Sequence, residues 1–89
     1  MPRFHFDYHE AERVTLDEFG QEMQSIVAAH RMAMVALGEA VRDFTLAARP
    51  GTIAIVVRKD GGVLLTVSAT VAQTEGETWA KEAADCRGF

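Results

Sequence analysis

The chain has 89 residues, with 13 Asp and Glu against 9 Lys and Arg, a formal net charge of −4, 48% apolar and 25% charged residues. That length leaves no room for a second full domain, a barrel or a doubly wound sheet, and the acidic balance gives no field for nucleic acid or an anionic membrane. The apolar and charged fractions are ordinary globular values and exclude a disordered chain.

The opening Met1-Pro2-Arg3-Phe4-His5-Phe6-Asp7 alternates aromatic and polar residues with no apolar stretch behind it, so it is not read as a signal peptide. No apolar run approaches the roughly 18 residues of a membrane span. Cys86 is the only cysteine, which excludes an intrachain disulfide and a thiolate zinc site. A cytoplasmic protein is expected.

Phe4, Phe6 and Tyr8 share one face of the first element, while Arg3, His5, Asp7 and His9 share the other. This period of two marks a half-buried strand. After Glu10-Ala11-Glu12, Val14 and Leu16 alternate again, which predicts a β-hairpin. Its loop has no glycine to supply a positive φ, so a connection looser than two residues is expected. Asp17-Glu18-Phe19-Gly20 ends the hairpin, with Gly20 at a left-handed position.

Ser25 is the best N-cap in the region, and a helix is predicted from Ile26 to about Ala47. At about 100° per residue, Ile26, Ala29, Ala33, Leu37, Ala40 and Phe44 centre one arc, flanked by Val27, Met34 and Val41. Arg31, Glu39, Arg42 and Asp43 fall opposite. Met32 and Val35 sit on the polar side, and Gly38 lies mid-helix at a cost of about 1 kcal/mol against alanine. Arg49-Pro50-Gly51 stops the helix.

Thr52–Arg58 and Val63–Ser68 are β-branched and aliphatic runs separated by Lys59-Asp60-Gly61-Gly62, a strong hairpin signal. A two-residue Asp60-Gly61 turn pairs Val57 with Leu64. A three-residue loop with Gly62 left-handed instead gathers Ile53, Ile55, Val57, Val63, Leu65 and Val67 on one face, and patterning favours it. After Val71 the chain turns polar, and Thr78–Cys86 is read as a short helix with Trp79, Ala83 and Cys86 on one side.

The expected fold is therefore α+β, ββαββ: a four-stranded antiparallel sheet with one long helix on one face. Residues 1–72 form this single domain, and 73–89 are a C-terminal extension. One helix covers only one face, so the other, carrying Ala54, Val56 and Leu64, is left for a partner.

The Met1-Pro2-Arg3-Phe4-His5-Phe6 start resembles the Met-Pro-Arg-aromatic-x-Phe opening of a bacterial family of small uncharacterised proteins, a domain of unknown function. Asp17-Glu18-Phe19-Gly20, the alanine-spaced helix after Ser25, and Val56-Val57-Arg58-Lys59-Asp60-Gly61-Gly62-Val63-Leu64 fit the same pattern. The likeness runs from Met1 to about Val71. Serine replaces the usual acidic cap, and the first loop lacks the family's glycine. The resemblance implies the same architecture and transfers no catalytic residue.

His5, Asp7 and His9 form a His-x-Asp-x-His face that presents metal-ligand types. Successive side chains on one strand face stand about 7 Å apart, wide for one ion, so a solvated strand face is the preferred reading. His30 has no nucleophile or carboxylate fixed to it by spacing. Asp17, Glu18 and Glu22 near a helix start read as capping and solubility groups. Gly61-Gly62 is not a phosphate loop, because no helix start or Gly-Lys-Ser/Thr follows. Cys86 is read as inert.

No catalytic residue and no cofactor site is assigned. Val27, Met34, Val35, Val56 and Leu64 are the interface candidates. The expected function is a small non-enzymatic interaction module that self-associates or joins a regulatory complex, binding neither nucleic acid nor membrane. The alternatives are a HicB-like antitoxin domain, which has a similar strand pair, glycine and alanine-spaced helix, and a metal protein or enzyme built on His5 and His9.

Overall fold

Alternating aromatics make Arg3–Glu10 the strand β1. In the computed structural model, which describes residues 1–85, it is followed by β2 (Arg13–Thr15), β3 (Gln21–Glu22), α1 (Ile26–Leu46), β4 (Gly51–Lys59), β5 (Gly62–Val71) and α2 (Glu77–Asp85). The sheet has five strands rather than the four expected, in the order β2-β1-β4-β5 with β3 also on β1. All recorded pairings are antiparallel. The extra strand arises because the second arm of the first hairpin is interrupted: β2 pairs with Tyr8–Glu10 and β3 with Arg3–Phe4, on one edge of β1.

That hairpin closes more tightly than expected. Glu10 faces Arg13 across a two-residue connection, and Ala11 itself takes φ 53°. In the late hairpin the turn is Asp60-Gly61, with φ 54° and 82°, and Gly62 is not in the left-handed region. Arg58 faces Val63, but Val57 faces Leu65. A bulge at Leu64 thus absorbs one residue, so the register favoured by patterning holds from Val57 towards Gly51 even though the turn has two residues.

α1 begins where its cap predicts: Ser25 Oγ accepts from the Ala28 N–H at 3.2 Å. Ala29 and Ala33 are fully buried, so the helix axis approaches the sheet closely. They meet Phe4, Leu37, Phe44, Ile53, Ile55 and Val57 in one core. Each buried Val, Ile or Phe side chain contributes roughly 1.5–3 kcal/mol. The helix ends at Leu46, one turn before Pro50, because Ala48 enters the left-handed region (φ 57°) and donates to the Thr45 carbonyl at 2.9 Å.

The chain then swings into β4 through Gly51, at φ 149°. A Cβ there would stand 2.8 Å from Phe44 Cζ, so the phenyl ring occupies the space that glycine leaves. Beyond β5 the tail leads to α2, whose residues 77–84 are exposed. The molecule measures 56 × 21 × 19 Å, longer than the ~34 Å of a ten-residue strand.

Two backbone positions give opposite expectations in urea unfolding. Ala48→Gly raises stability by about 1 kcal/mol, because it relieves a left-handed Cβ. Gly51→Ala lowers it by about 2–3 kcal/mol through combined backbone strain and collision with Phe44. Midpoints shift with unchanged slope in both.

Candidate functional site

Two regions of the sheet carry features that the core does not account for: the Asp7 side of β1 and the free edge of β5.

Asp7 is the buried charged residue among the described residues, 2% exposed. It lies on the sheet face away from α1. Asp7 faces Val56 across the sheet, and Arg58 faces His5. The Arg58 guanidinium reaches diagonally to grip Asp7 through Nε to Oδ2, and through NH2 to Oδ1 at 3.0 Å. The Asp17 N–H donates to Asp7 Oδ1 at 2.9 Å. Asp17 fixes the interrupted arm in turn: its carboxylate accepts from the Phe6 N–H at 3.1 Å and the Gly20 N–H at 3.0 Å, and its carbonyl accepts from Arg58. His5 Nδ1 lies 2.8 Å from the same carbonyl. Gly20, at φ 71°, sits so tightly here that a Cβ would stand 2.9 Å from the Phe4 carbonyl and from the side chains of Arg3 and His5.

These contacts decide the ionisation. The Arg58 hydrogen bonds hold the Asp7 carboxyl below the usual carboxylate range despite its burial, with the Asp17 N–H assisting. Burial works against charge on Asp17, but N–H groups of Phe6, Gly20 and Phe19 together outweigh it, and its pKa is also lowered. The arrangement is a clamp that pins residues 16–20 to β1. Of the His5, Asp7 and His9 set, Asp7 is committed to Arg58 and His5 faces the Asp17 carbonyl. No group of three His, Cys, Asp or Glu side chains among the described residues is placed to share a metal ion. Cys86 lies outside the described residues.

At the opposite side, β5 pairs with β4 along one edge, and no described strand pairs with the other. Its ten residues, Gly62 to Val71, contain no charge and no proline. α1 lies over β4 and β5, and its two flanks differ. Asp43 acts on Tyr8 of β1, whose hydroxyl is pushed up in pKa by burial, then by its Glu10 hydrogen bond, with Asp43 adding to the effect. Thr45 instead lines a hollow of about 150 Å³ together with Val71, smaller than the ~300 Å³ at which small-molecule sites begin. The flank with Asp43, Met32 and Glu39 therefore faces β1, and the flank with Val27, His30, Met34, Val41 and Thr45 faces the β5 edge, with Gly38 and Arg31 at its outer border.

The five interface candidates separate accordingly. Val27 (62% exposed) and Met34 (48%) lie on the β5-side flank, and Leu64 forms the bulge at that edge. Val56 is half-buried on the uncovered sheet face among Ala54, Thr66 and Ser68. Val35 points outward from α1, away from the others. Sequence reading missed Phe19, 81% exposed; an aromatic inside an acidic turn is the signal that marks it. The Asp7–Arg58 pair was also missed, because it depends on β1 lying beside β4.

Asp7→Asn is expected to cost about 2–3 kcal/mol at neutral pH, since it leaves Arg58 without its ionic partner. The lowered pKa of Asp7 means that its contribution is complete above the unfolded value near ~3.9 and is lost as pH falls through the folded value. Urea midpoints of the wild type should therefore drop below about pH 4, and those of Asp7→Asn should drop less.

No helix among the described residues is long and apolar enough to cross a membrane. No curated protein and no solved structure matches the chain. Residues 3–70 match the family described as Domain of unknown function (DUF6894). That span covers both hairpins, the helix and the Asp7 clamp, so the chain belongs to this family of uncharacterised domains.

Proposed function

We propose that this domain is a non-enzymatic interaction module of the bacterial cytoplasm, acting within a regulatory complex and docking through the free edge of its sheet. The observation that carries this reading is β5: ten residues without charge or proline, open along one side. Edge strands are usually blunted by charge, proline or shortness, because a bare row of N–H and C=O groups templates another strand. Main-chain pairing along such an edge is an established mode of protein recognition. The clamp around Asp7 serves the opposite edge, where it organises the chain rather than presenting reactive groups.

A photo-reactive amino acid at Ser68 is expected to give one discrete cross-linked product in cells expressing the chain. The same group at Glu39, exposed on the flank of α1 that faces β1, is expected to give none. Absence of a product from Thr66, Ser68 and Thr70 alike overturns the reading.

A further inference from the structure

We propose that the occupant of the β5 edge is a second copy of this chain, paired antiparallel about a two-fold axis near Ser68 so that two sheets become one and the two α1 helices lie side by side. This rests on the reading of β5 as a pairing edge and adds its partner and geometry.

The first argument is spacing. Strands lie about 4.8 Å apart, so a helix seated over β4 and β5 has its axis ~5 Å from the midline between two paired β5 strands. Two such helices stand ~10 Å apart, within the ordinary range of helix packing. No rearrangement of either protomer is needed.

The second argument is the chemistry of the flank that would meet its twin. Glu39, Arg42 and Asp43 fall on the other sides of α1, and of the helix's charged residues only Arg31, two turns before Gly38 on nearly the same stripe, borders the β5-side flank. Val27 and Met34 are exposed there. An antiparallel two-fold contact level with Gly38 sets Arg31 across from the second copy's Thr45, so it meets no like charge.

The third is Gly38. It sits mid-helix, and a Cβ built on it would meet nothing within 4 Å, so no contact within the described residues explains a glycine that costs about 1 kcal/mol against alanine. Thr45 and Val71 line the same hollow and α1 and β5 run towards the same end. Ser68, three residues before Val71, is ~10 Å back along β5; on the helix that distance is about seven residues, which is Gly38. The glycine therefore lies level with the proposed axis, where the two helices approach.

The buried surface is also sufficient. A paired stretch of seven residues, ~24 Å long, and a sheet-plus-helix layer about 20 Å deep bury on the order of 500 Å² per protomer, which reaches the ~1,000 Å² in total that a specific interface needs. The bulge at Leu64 confines regular pairing to Leu65–Val71, whose midpoint is Ser68.

Light scattering of the full chain at high micromolar concentration is expected to give twice the 9.8 kDa chain mass. Ser68→Lys and Ser68→Glu each place like charges opposite one another and raise the dimer dissociation constant at least about tenfold; mixing the two restores a dimer at low salt, which shows that both variants are folded. Ser68→Cys in a Cys86→Ser chain oxidises to a covalent dimer, because facing residues lie within disulfide reach, while Thr52→Cys does not. A monomeric wild type overturns the dimer, and a dimer indifferent to charge at Ser68 overturns the β5 pairing. If cross-linking from Ser68 in cells instead yields a product of another mass with a monomeric pure chain, the self-pairing fails while the edge-docking reading stands.

Discussion

A single helix has to cover a sheet about four strands wide. A helix with its side chains is about 10–12 Å across and spans little more than two strands. α1 settles over β4 and β5, where Ala29 and Ala33 allow close approach to Ile53, Ile55 and Val57. Phe6 and Tyr8 on β1 are consequently only half-buried. The apolar core is small, and what lies beyond the helix must be stabilised by other means.

On the β1 side those means are polar. An aspartate as buried as Asp7 is costly unless it is paired and hydrogen-bonded; here Arg58 and the Asp17 backbone satisfy it, and no buried side-chain polar atom among the described residues lacks a partner. The pair ties β1 to β4 across the sheet, and Asp17 ties the interrupted arm to β1. The interruption itself blunts that edge: β2 has three residues and β3 two, with the Asp17–Gly20 turn between them.

Local signals were legible in the sequence. The aromatic alternation of β1, the Ser25 cap, the alanine stripe and the β-branched runs of β4 and β5 each specify an element without reference to the rest. The strand count was not legible, because β3 exists only through two long-range pairings to Arg3 and Phe4. Nor were the turns: alanine at positions 11 and 48 takes a left-handed conformation that its own propensity opposes, and the tertiary frame imposes it. The late hairpin shows both regimes at once. Asp60-Gly61 chose its turn locally, the sheet face chose the register, and Leu64 bulged to reconcile them. At the site, the His-x-Asp-x-His face read as solvated or metal-binding is neither alone, because Asp7 is claimed by a residue 51 positions away.

The two edges of the sheet thus stand in contrast, and the contrast bears on assembly. An uncharged edge strand normally risks open-ended aggregation, and a net charge of −4 offers only modest repulsion. The proposed pairing of β5 with its own copy would consume both bare edges in one isologous contact, since each edge is donor and acceptor to the other. What remains at the two ends of the joined sheet is the short, interrupted β2/β3 edge, fastened by the Asp7 clamp and bent by the Gly20 turn. Such an edge does not template a further strand. The clamp that compensates for a narrow helix on one side would therefore also be what makes pairing on the other side stop at two.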